Sequence, residues 1–290
     1  MADKKTNRPH QAACSSQVLK QLLNPAAGQE YQSSKINHST SVEIKKRITM
    51  KKAALLVAGL FFALTLTAQE NKITVVGNGK IVKQKRDISD FSKISVTGSF
   101  QVSLTSGDTG KISLEGDENI LQIIDTQVNN GTLIIATHSN KTIKPSRNNK
   151  VTIKVPYKLL DNIALNGCGT ITSKGTLKGH KLKVMLDGPG HIDITTDQNE
   201  LIAWVLGSGD IKIDGTAKQF ECKIVGAGTV NAYDLSARQV TAAISGSGDA
   251  KVNSSYALKG RIAGNGTIAF AGQPQETDLK YMGNGSFSWE

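Results

Sequence analysis

The fold is decided by a short segment, Leu206-Gly207-Ser208-Gly209-Asp210-Ile211, and by its repetition along the chain. This pair of glycines is one of seven that recur at regular spacing, and the steps between their first glycines are 21, 19, 19, 20, 18 and 19 residues. A fixed period near twenty is typical of stacked repeats, because so short a unit cannot bury an apolar face without its neighbours. The seven pairs are Gly167 and Gly169, Gly188 and Gly190, Gly207 and Gly209, Gly226 and Gly228, Gly246 and Gly248, Gly264 and Gly266, and Gly283 and Gly285.

Apolar residues alternate at period two on both sides of each pair, as in Ala203 and Val205 before Gly207 and Ile211 and Ile213 after Gly209. Strand side chains alternate between two faces, so both glycines share the inward face with these residues. A position without a side chain lets the backbone bend or take a positive φ, so each pair is interpreted as a corner. The pattern predicts an all-β fold, a right-handed parallel β-helix or β-solenoid of about seven rungs of about 19 residues.

The first 68 residues have the pattern of a leader. Lys51 and Lys52, an apolar run over residues 53–66 and Ala68 describe a secretory signal peptide over residues 50–68. Residues 1–49 are polar and lie upstream of that signal, so they are interpreted as a spurious or disordered N-terminal extension, with translation starting at Met50. An unusually long signal region is the alternative. The signal predicts an exported protein, which would be located at the cell surface, in the periplasm or in the medium.

The mature chain divides at about residue 160. Residues 69–160 contain short alternating strands and one stretch, residues 118–124, that Asp117 is expected to cap as a helix. Solenoids need an atypical terminal unit over the first rung, so this segment is predicted to be an N-terminal β-rich cap, with an independent domain as the alternative. Residues 161–290 form the glycine-repeat solenoid of the same domain.

Composition excludes some classes of function. The formal net charge is +11, but residues 1–68 carry ten Lys or Arg against three Asp or Glu, which leaves 25 against 21 for the rest. A basic nucleic-acid surface is therefore not indicated. The three cysteines, Cys14, Cys168 and Cys222, have no C-x-x-C spacing. Cys222 shares the parity of Phe220 and Ile224 and is expected in the core, so a disulfide between Cys168 and Cys222 is not expected.

Several segments resemble the head GIN domain family, described as auto-transporter adhesins and found in many Bacteroidetes. They are the signal peptide, residues 90–94 (DFSKI), residues 130–135 (NGTLII) and the repeated corner at residues 206–211. The resemblance extends over about residues 77–285. It implies a β-helix-like, exported, non-enzymatic domain with a role in adhesion, and it supplies no binding residues for this chain.

The outward polar residues at the corners are the candidate binding site. Identical groups at even spacing suit repetitive ligands, such as glycans or surface polymers, through multivalent weak contacts. No cofactor, no metal, no nucleic acid and no membrane span in the mature chain are expected. The candidate residues are Ser208, Asp210, Thr229, Ser247, Asp249, Asn265 and Asn284.

Two other classes of function stay open at this point. A polysaccharide-acting β-helix enzyme could use Asp210 and Asp249, which lie two repeats apart. Two strand spacings separate them by about 9.6 Å, which is near the upper limit for the carboxylate pair of an inverting glycosidase. A structural envelope or assembly protein would need no soluble ligand. No catalytic residue is assigned.

The last repeat ends at Phe287-Ser288-Trp289-Glu290 with no cap behind it. Phe287 and Trp289 have inward parity and are expected to cover the open end. An uncovered strand edge pairs readily with another strand, so a homodimer through this end is a further hypothesis.

Overall fold

A computed structural model describes residues 73–138, 141–147 and 149–290. The predicted extension over residues 1–49 and the predicted signal peptide over residues 50–68 lie outside the described residues. Almost all of the described chain is β-strand, with one turn of α-helix. The elements are β1 (Ile73–Val76), β2 (Ile81–Asp87), β3 (Lys93–Thr97), β4 (Gln101–Ser106), β5 (Lys111–Asp117), α1 (Glu118–Leu121), β6 (Ile124–Asn129), β7 (Thr132–Thr137), β8 (Lys141–Lys144), β9 (Thr152–Tyr157), β10 (Asn162–Asn166), β11 (Thr170–Asp187), β12 (His191–Gly207), β13 (Asp210–Gly226), β14 (Thr229–Gly246), β15 (Asp249–Gly264), β16 (Thr267–Ala271), β17 (Glu276–Met282) and β18 (Ser286–Trp289).

The glycine repeats form stacked parallel coils, which confirms the predicted β-solenoid of about seven turns. Strands β11 to β15 each run from one glycine pair to the next, and each pairs in parallel with its successor. The register places Gly207 beside Gly226, Gly226 beside Gly246, and Gly246 beside Gly264. Equivalent positions of successive repeats therefore form rows along the stack, about 4.8 Å apart.

The core consists of inward rows of aliphatic side chains. One row joins Ile192, Ile211, Val230, Ala250 and Ile268, all buried. A second row contains the small residues Ala203, Cys222 and Ala242. The inward row next to it has larger side chains, which fill the space that the small residues leave. These are Leu201, Phe220, Val240 and Leu258.

Cys222 is a buried free cysteine, as the parity of its strand predicted. Burial, together with the negative charge of Glu221, raises the pKa of its thiol to about 12. Because the thiolate is the reactive form of cysteine, Cys222 acts as a small core residue rather than as a nucleophile.

The chain does not build the stack in sequence order. Strand β10 pairs on one side with β3 and on the other with β11, while β3 also pairs with β7. Likewise β4 pairs with both β9 and β11. The coil of β3 and β4 therefore lies between the coil of β7 and β9 and the coil that begins at β10. The elements from β5 to β8 build the end of the stack before the chain returns to it at β9.

That end of the stack is closed by antiparallel strands. Strand β5 pairs antiparallel with β2 and β9, and β6 pairs antiparallel with β7. The helix expected over residues 118–124 ends at Leu121, since Ile124 begins β6. The expectation that the Asp117 side chain caps this helix is wrong. No cap hydrogen bond forms, because the carboxylate accepts hydrogen bonds from Gly79 and Ser146 instead.

The other end carries strands β16, β17 and β18. Phe287 is half-buried beside Ile268 and contacts Tyr281, with ring centroids 6.4 Å apart, so it covers the last coil as expected. Trp289, which was expected to cover it too, is 69% exposed. Within the described ranges, no helix is long and apolar enough to cross a membrane.

Candidate binding face at the glycine corner

The two glycines of a pair have different structural roles. The first glycine of every pair has a positive φ, for example 105° at Gly207 and 121° at Gly226. A side chain at Gly226 would lie 2.5 Å from the carbonyl oxygen of Gly207, so it would point along the stack at the preceding coil and not into the apolar core. The second glycine is buried: a Cβ at Gly209 would lie 2.6 Å from two carbonyl oxygens and 2.7 Å from Leu186. The predicted corner is therefore confirmed, but the expectation that both glycines face the core is correct only for the second glycine.

The backbone at each corner holds the coils in fixed register. The amide of Ala227 donates a hydrogen bond to the carbonyl of Gly207 at 2.9 Å, and the amide of Thr229 donates to Gly209 at 3.0 Å. The same two bonds recur in the next coil, from Ser247 to Gly226 and from Asp249 to Gly228. Because no side chain separates the coils here, the residues between and after the glycines occupy equivalent positions in each repeat.

Two rows of outward side chains result. The first, the corner row, contains the residue between the two glycines. The second, the strand row, contains the residue after the second glycine, and its register is continuous from β11 to β18. The corner row includes Pro189, Ser208, Ala227, Ser247, Asn265 and Asn284, and the strand row is Thr170, His191, Asp210, Thr229, Asp249, Thr267 and Ser286.

All seven candidate binding residues lie in these two rows. Ser208, Ser247, Asn265 and Asn284 belong to the corner row, and Asp210, Thr229 and Asp249 belong to the strand row. Six of the seven are exposed, and Thr229 is half-buried between the two aspartates. Whether these residues bind a ligand stays a prediction.

The next outward row adds charges of both signs. Lys212 lies beside Asp193 and donates a hydrogen bond to Asp214 at 3.0 Å. That bond and the charges of Asp214, Asp193 and Asp234 raise the pKa of Lys212. This ammonium group is therefore already engaged by carboxylates, so the face offers hydrogen-bonding oxygens more than free positive charge.

The arrangement limits which chemistry the aspartates can perform together. Asp210 and Asp249 lie in one row with Thr229 between them, two coils apart as expected. In the described part of the chain, no group of three or more His, Cys, Asp or Glu side chains is placed to share a metal ion. His191 lies half-buried in the strand row, whereas His138 contacts Asp125 at 2.9 Å and His180 contacts Asn199 at 2.7 Å. The three histidines thus belong to separate parts of the surface.

Sequence reasoning missed a second outward surface, on the strand segment that precedes each glycine pair. Trp204, Leu206 and Val225 point outward there, and Leu206 and Val225 are exposed. The ammonium group of Lys183 lies 3.9 Å from the centre of the Trp204 ring. The alternation that buries Ala203 and Val205 already places Trp204 and Leu206 outside, so the signal was available in the sequence.

The fold and the corner together define a parallel β-solenoid that displays polar rows. The chain belongs to the family described as "Putative auto-transporter adhesin, head GIN domain", whose model matches residues 90–274. The resemblance inferred from the corner motifs is therefore confirmed. No curated protein matches the chain.

Solved structures have the same fold. A "putative adhesin" from Bacteroides fragilis NCTC 9343 is 25% identical, with a TM-score of 0.69, and the match covers 74% of this chain and all of that one. A "putative lipid binding protein" from Parabacteroides distasonis ATCC 8503 is 24% identical, with a TM-score of 0.64 over 75% and 100% of the two chains. A "putative adhesin" from Parabacteroides merdae ATCC 43184 is 21% identical, with a TM-score of 0.59 over 75% and 99%.

Proposed function

We propose that this protein is an exported, non-enzymatic binding domain, an adhesin that holds a repetitive polymer against its corner and strand rows. The observation that carries the proposal is the continuous register of the strand row, which places Asp210, Thr229 and Asp249 at equal spacing on an exposed face. A polymer with a repeating hydrogen-bonding group can contact several coils at once. Many weak contacts then give an avidity that no single contact provides.

The chemistry of the two rows favours a glycan or a similar hydroxyl-rich surface polymer. The rows contain carboxylate, amide and hydroxyl groups, which donate and accept hydrogen bonds. Asn265 and Asn284 follow Ser247 along the corner row, so amides continue the hydrogen-bonding surface toward the end of the stack.

The cellular location rests on the sequence and on the family. The pattern over residues 50–68 is that of a secretory signal, and the family is described as an auto-transporter adhesin. Export to the cell surface, the periplasm or the medium is therefore part of the proposal. A protease-accessibility assay on intact cells distinguishes a surface protein from a periplasmic one.

A glycan array combined with a polymer-length series tests the proposed ligand class. Purified protein is expected to bind at least one repetitive polysaccharide, and longer chains of that polysaccharide are expected to bind more tightly. The protein is not expected to cleave the bound polymer. Replacing Asp210→Ala together with Asp249→Ala is expected to weaken binding about tenfold or more.

Asp161→Ala with Asp108→Ala is the matched control, because both aspartates are exposed and belong neither to the two rows nor to the carboxylates around Lys212. Equal losses in the two double variants, or binding no higher than background on the array and on cells, would contradict the proposal. Shortening of a bound polymer would support the enzyme alternative instead.

We also propose that the protein forms a homodimer through strands β17 and β18. The three most exposed large hydrophobic side chains of the described residues lie in these two strands: Met282 at 76%, Trp289 at 69% and Tyr281 at 64%. An edge strand with exposed apolar side chains is a template for pairing with another chain. A second copy offers the same strands and the same apolar groups, and a two-fold contact can close the end.

A further inference from the structure

A groove of about 480 Å³ lies on the second outward surface, on the strand segments that precede the glycine corners. Its lining includes the cations Lys223, Arg261 and Lys280 and the small side chains of Ala243, Ser245 and Ala263. Met282 and Tyr281 line it at the end of the stack. Its volume is within the range of small-molecule sites, which are concave and mostly apolar with a few polar groups.

The register explains why a depression forms here. One outward row joins Lys223, Ala243, Arg261 and Lys280, and the row beside it joins Val225, Ser245, Ala263 and Met282. Alanine or serine occupies both rows on β14, and Ala263 continues the second row on β15, whereas longer side chains lie before and after these small residues. The groove is therefore a gap between long side chains on an otherwise regular sheet.

The groove has an apolar floor and positive charge but no acidic lining residue among those described. Three cations line it, and one of them, Arg261, donates a hydrogen bond to Asp278. That bond lowers the pKa of Asp278, which keeps it ionised and paired with Arg261. Lys280 lies 3.7 Å from Asp278 with 72% of its side chain exposed. The row beside these cations contains two carboxylates, Glu221 and Asp278, and a further cation, Lys259, so the surface around the groove keeps an excess of positive charge.

Lys223, on β13, lies at the end of the groove farthest from β17. Its ammonium group lies 5.6 Å from the centre of the Trp204 ring, whose indole N–H donates to Glu221 at 3.2 Å. Lys183 lies closer to the same ring, at 3.9 Å. Both lysines are therefore near the indole, so its face is not open for stacking by a sugar ring.

We infer that this groove binds a single-chain amphiphile with an anionic head group, a long-chain fatty acid carboxylate being the simplest example. Lys223 would contact the carboxylate, the small side chains on β14 and β15 would contact the alkyl chain, and Met282 would contact its far end. Burying the chain removes apolar area from water, so the affinity is expected to rise with each buried methylene group. This site is separate from the polar rows and does not depend on the proposed adhesin function.

Laurate is the probe for the test, used below its micelle concentration and followed by isothermal titration calorimetry and by amide chemical shifts. The full protein is expected to bind laurate, with shifts concentrated at residues 223–225, 243–245 and 261–263. Butyrate has the same head group with too short a chain, and dodecanol has the same chain without the charge. Both are expected to bind at least about tenfold more weakly.

Two pairs of variants assign the site. Ala243→Trp fills the groove and is expected to abolish laurate binding, whereas Ser236→Trp, an exposed position elsewhere on β14, is expected to leave it unchanged. Lys223→Gln is expected to weaken laurate binding about tenfold and leave dodecanol binding unchanged. Lys259→Gln, an exposed lysine that does not line the groove, is the charge control.

Several results would overturn the inference. They are absence of laurate binding, binding that Ala243→Trp does not affect, and equal binding of laurate and dodecanol. Binding only to vesicles that contain anionic phospholipid, with no binding of free laurate, would also overturn it and would indicate a membrane surface as the partner. A circular dichroism spectrum identical to that of the original protein is required of each variant.

Discussion

At the scale of single residues, the two glycines of each corner solve different problems. The first adopts a backbone conformation that residues with a side chain rarely adopt, with φ between 105° and 129° in the seven pairs. The second has no positive φ, and it is required because the coil before it leaves no space for a Cβ. A substitution at the second position therefore tests packing alone, free of backbone strain.

Gly228→Ala is expected to destabilise the protein by about 2 to 3 kcal/mol, since overpacking a tight site forces neighbouring groups to move. The new Cβ would lie 2.5 Å from both the carbonyl oxygen of Gly209 and the Cγ1 of Val205. Urea unfolding, fitted for the free energy of unfolding, measures the loss.

Gly107→Ala is the matched control for this change. Gly107 also lacks a positive φ, and the nearest atom to its added Cβ, in Pro156, is 3.8 Å away. Alanine restricts the unfolded chain at such a site, so the control is expected to be neutral or stabilising by up to about 1 kcal/mol. An unchanged free energy of unfolding for Gly228→Ala would show that the second glycine is dispensable.

At the scale of elements, the antiparallel cap is tied together by one buried carboxylate. Asp117, at the end of β5, accepts hydrogen bonds from the amide of Gly79 at 2.8 Å, from the amide of Ser146 at 3.0 Å and from the Ser146 hydroxyl at 2.6 Å. Burial alone raises the pKa of this group, but the hydrogen bonds from Ser146 and Gly79 outweigh it. The pKa of Asp117 therefore lies below its ordinary value.

The lowered pKa predicts how the stability of the cap depends on pH. A carboxyl whose pKa is lower in the folded protein stabilises it above the ordinary pKa, and that contribution disappears as the pH falls through the lowered value. Asp117→Asn is expected to cost about 1 to 3 kcal/mol at neutral pH, because an amide cannot replace three accepted hydrogen bonds. The difference from the original protein should shrink in acid.

Urea unfolding at neutral and acidic pH checks this prediction, with Asp108→Asn as the control at an exposed aspartate. A variant whose deficit stays constant with pH would mean that Asp117 is not the ionised partner of Ser146 and Gly79. A deficit of the same size in Asp108→Asn would show a general charge effect.

The sequence predicted the repeated coils well, because the glycine period and the apolar alternation are local patterns. Inward residues such as Ile211, Phe220 and Cys222 follow directly from parity and are all buried. The order of the first coils could not be predicted, since Lys93 pairs with both Thr132 and Asn162 and such distant partners leave no local signal. The corner at Gly98 was also hidden, because the buried Phe100 stands where the other corners have a second glycine.

The candidate site was predicted in part for the same reason. Outward parity identified the corner and strand rows, which are regular from repeat to repeat. The groove escaped notice because it depends on the sizes of neighbouring side chains in different coils, such as Ala243 between Lys223 and Arg261. Each of these residues is unremarkable in its own strand, and only the register brings the small ones together.

At the scale of the whole described unit, the two ends of the stack are unequal. Antiparallel strands β2, β5 and β6 close the end near β7 and β9. At the other end β17 pairs only with β15 and β18 only with β16, so each has one strand edge without a partner among the described residues. Parallel stacking can continue from such an edge, and a two-fold contact between two copies would stop it.

The proposed homodimer predicts a concentration-dependent mass in sedimentation velocity, with dimer present at high micromolar concentration. Trp289→Lys is expected to weaken association at least about tenfold, because it replaces an exposed aromatic group at the contact by a charge. Leu206→Lys makes the same kind of change at an exposed apolar residue of β12, away from β17 and β18, and should leave association unchanged. If the original protein sediments as a monomer throughout, or if both variants associate equally well, the exposed aromatic end does not hold a second copy.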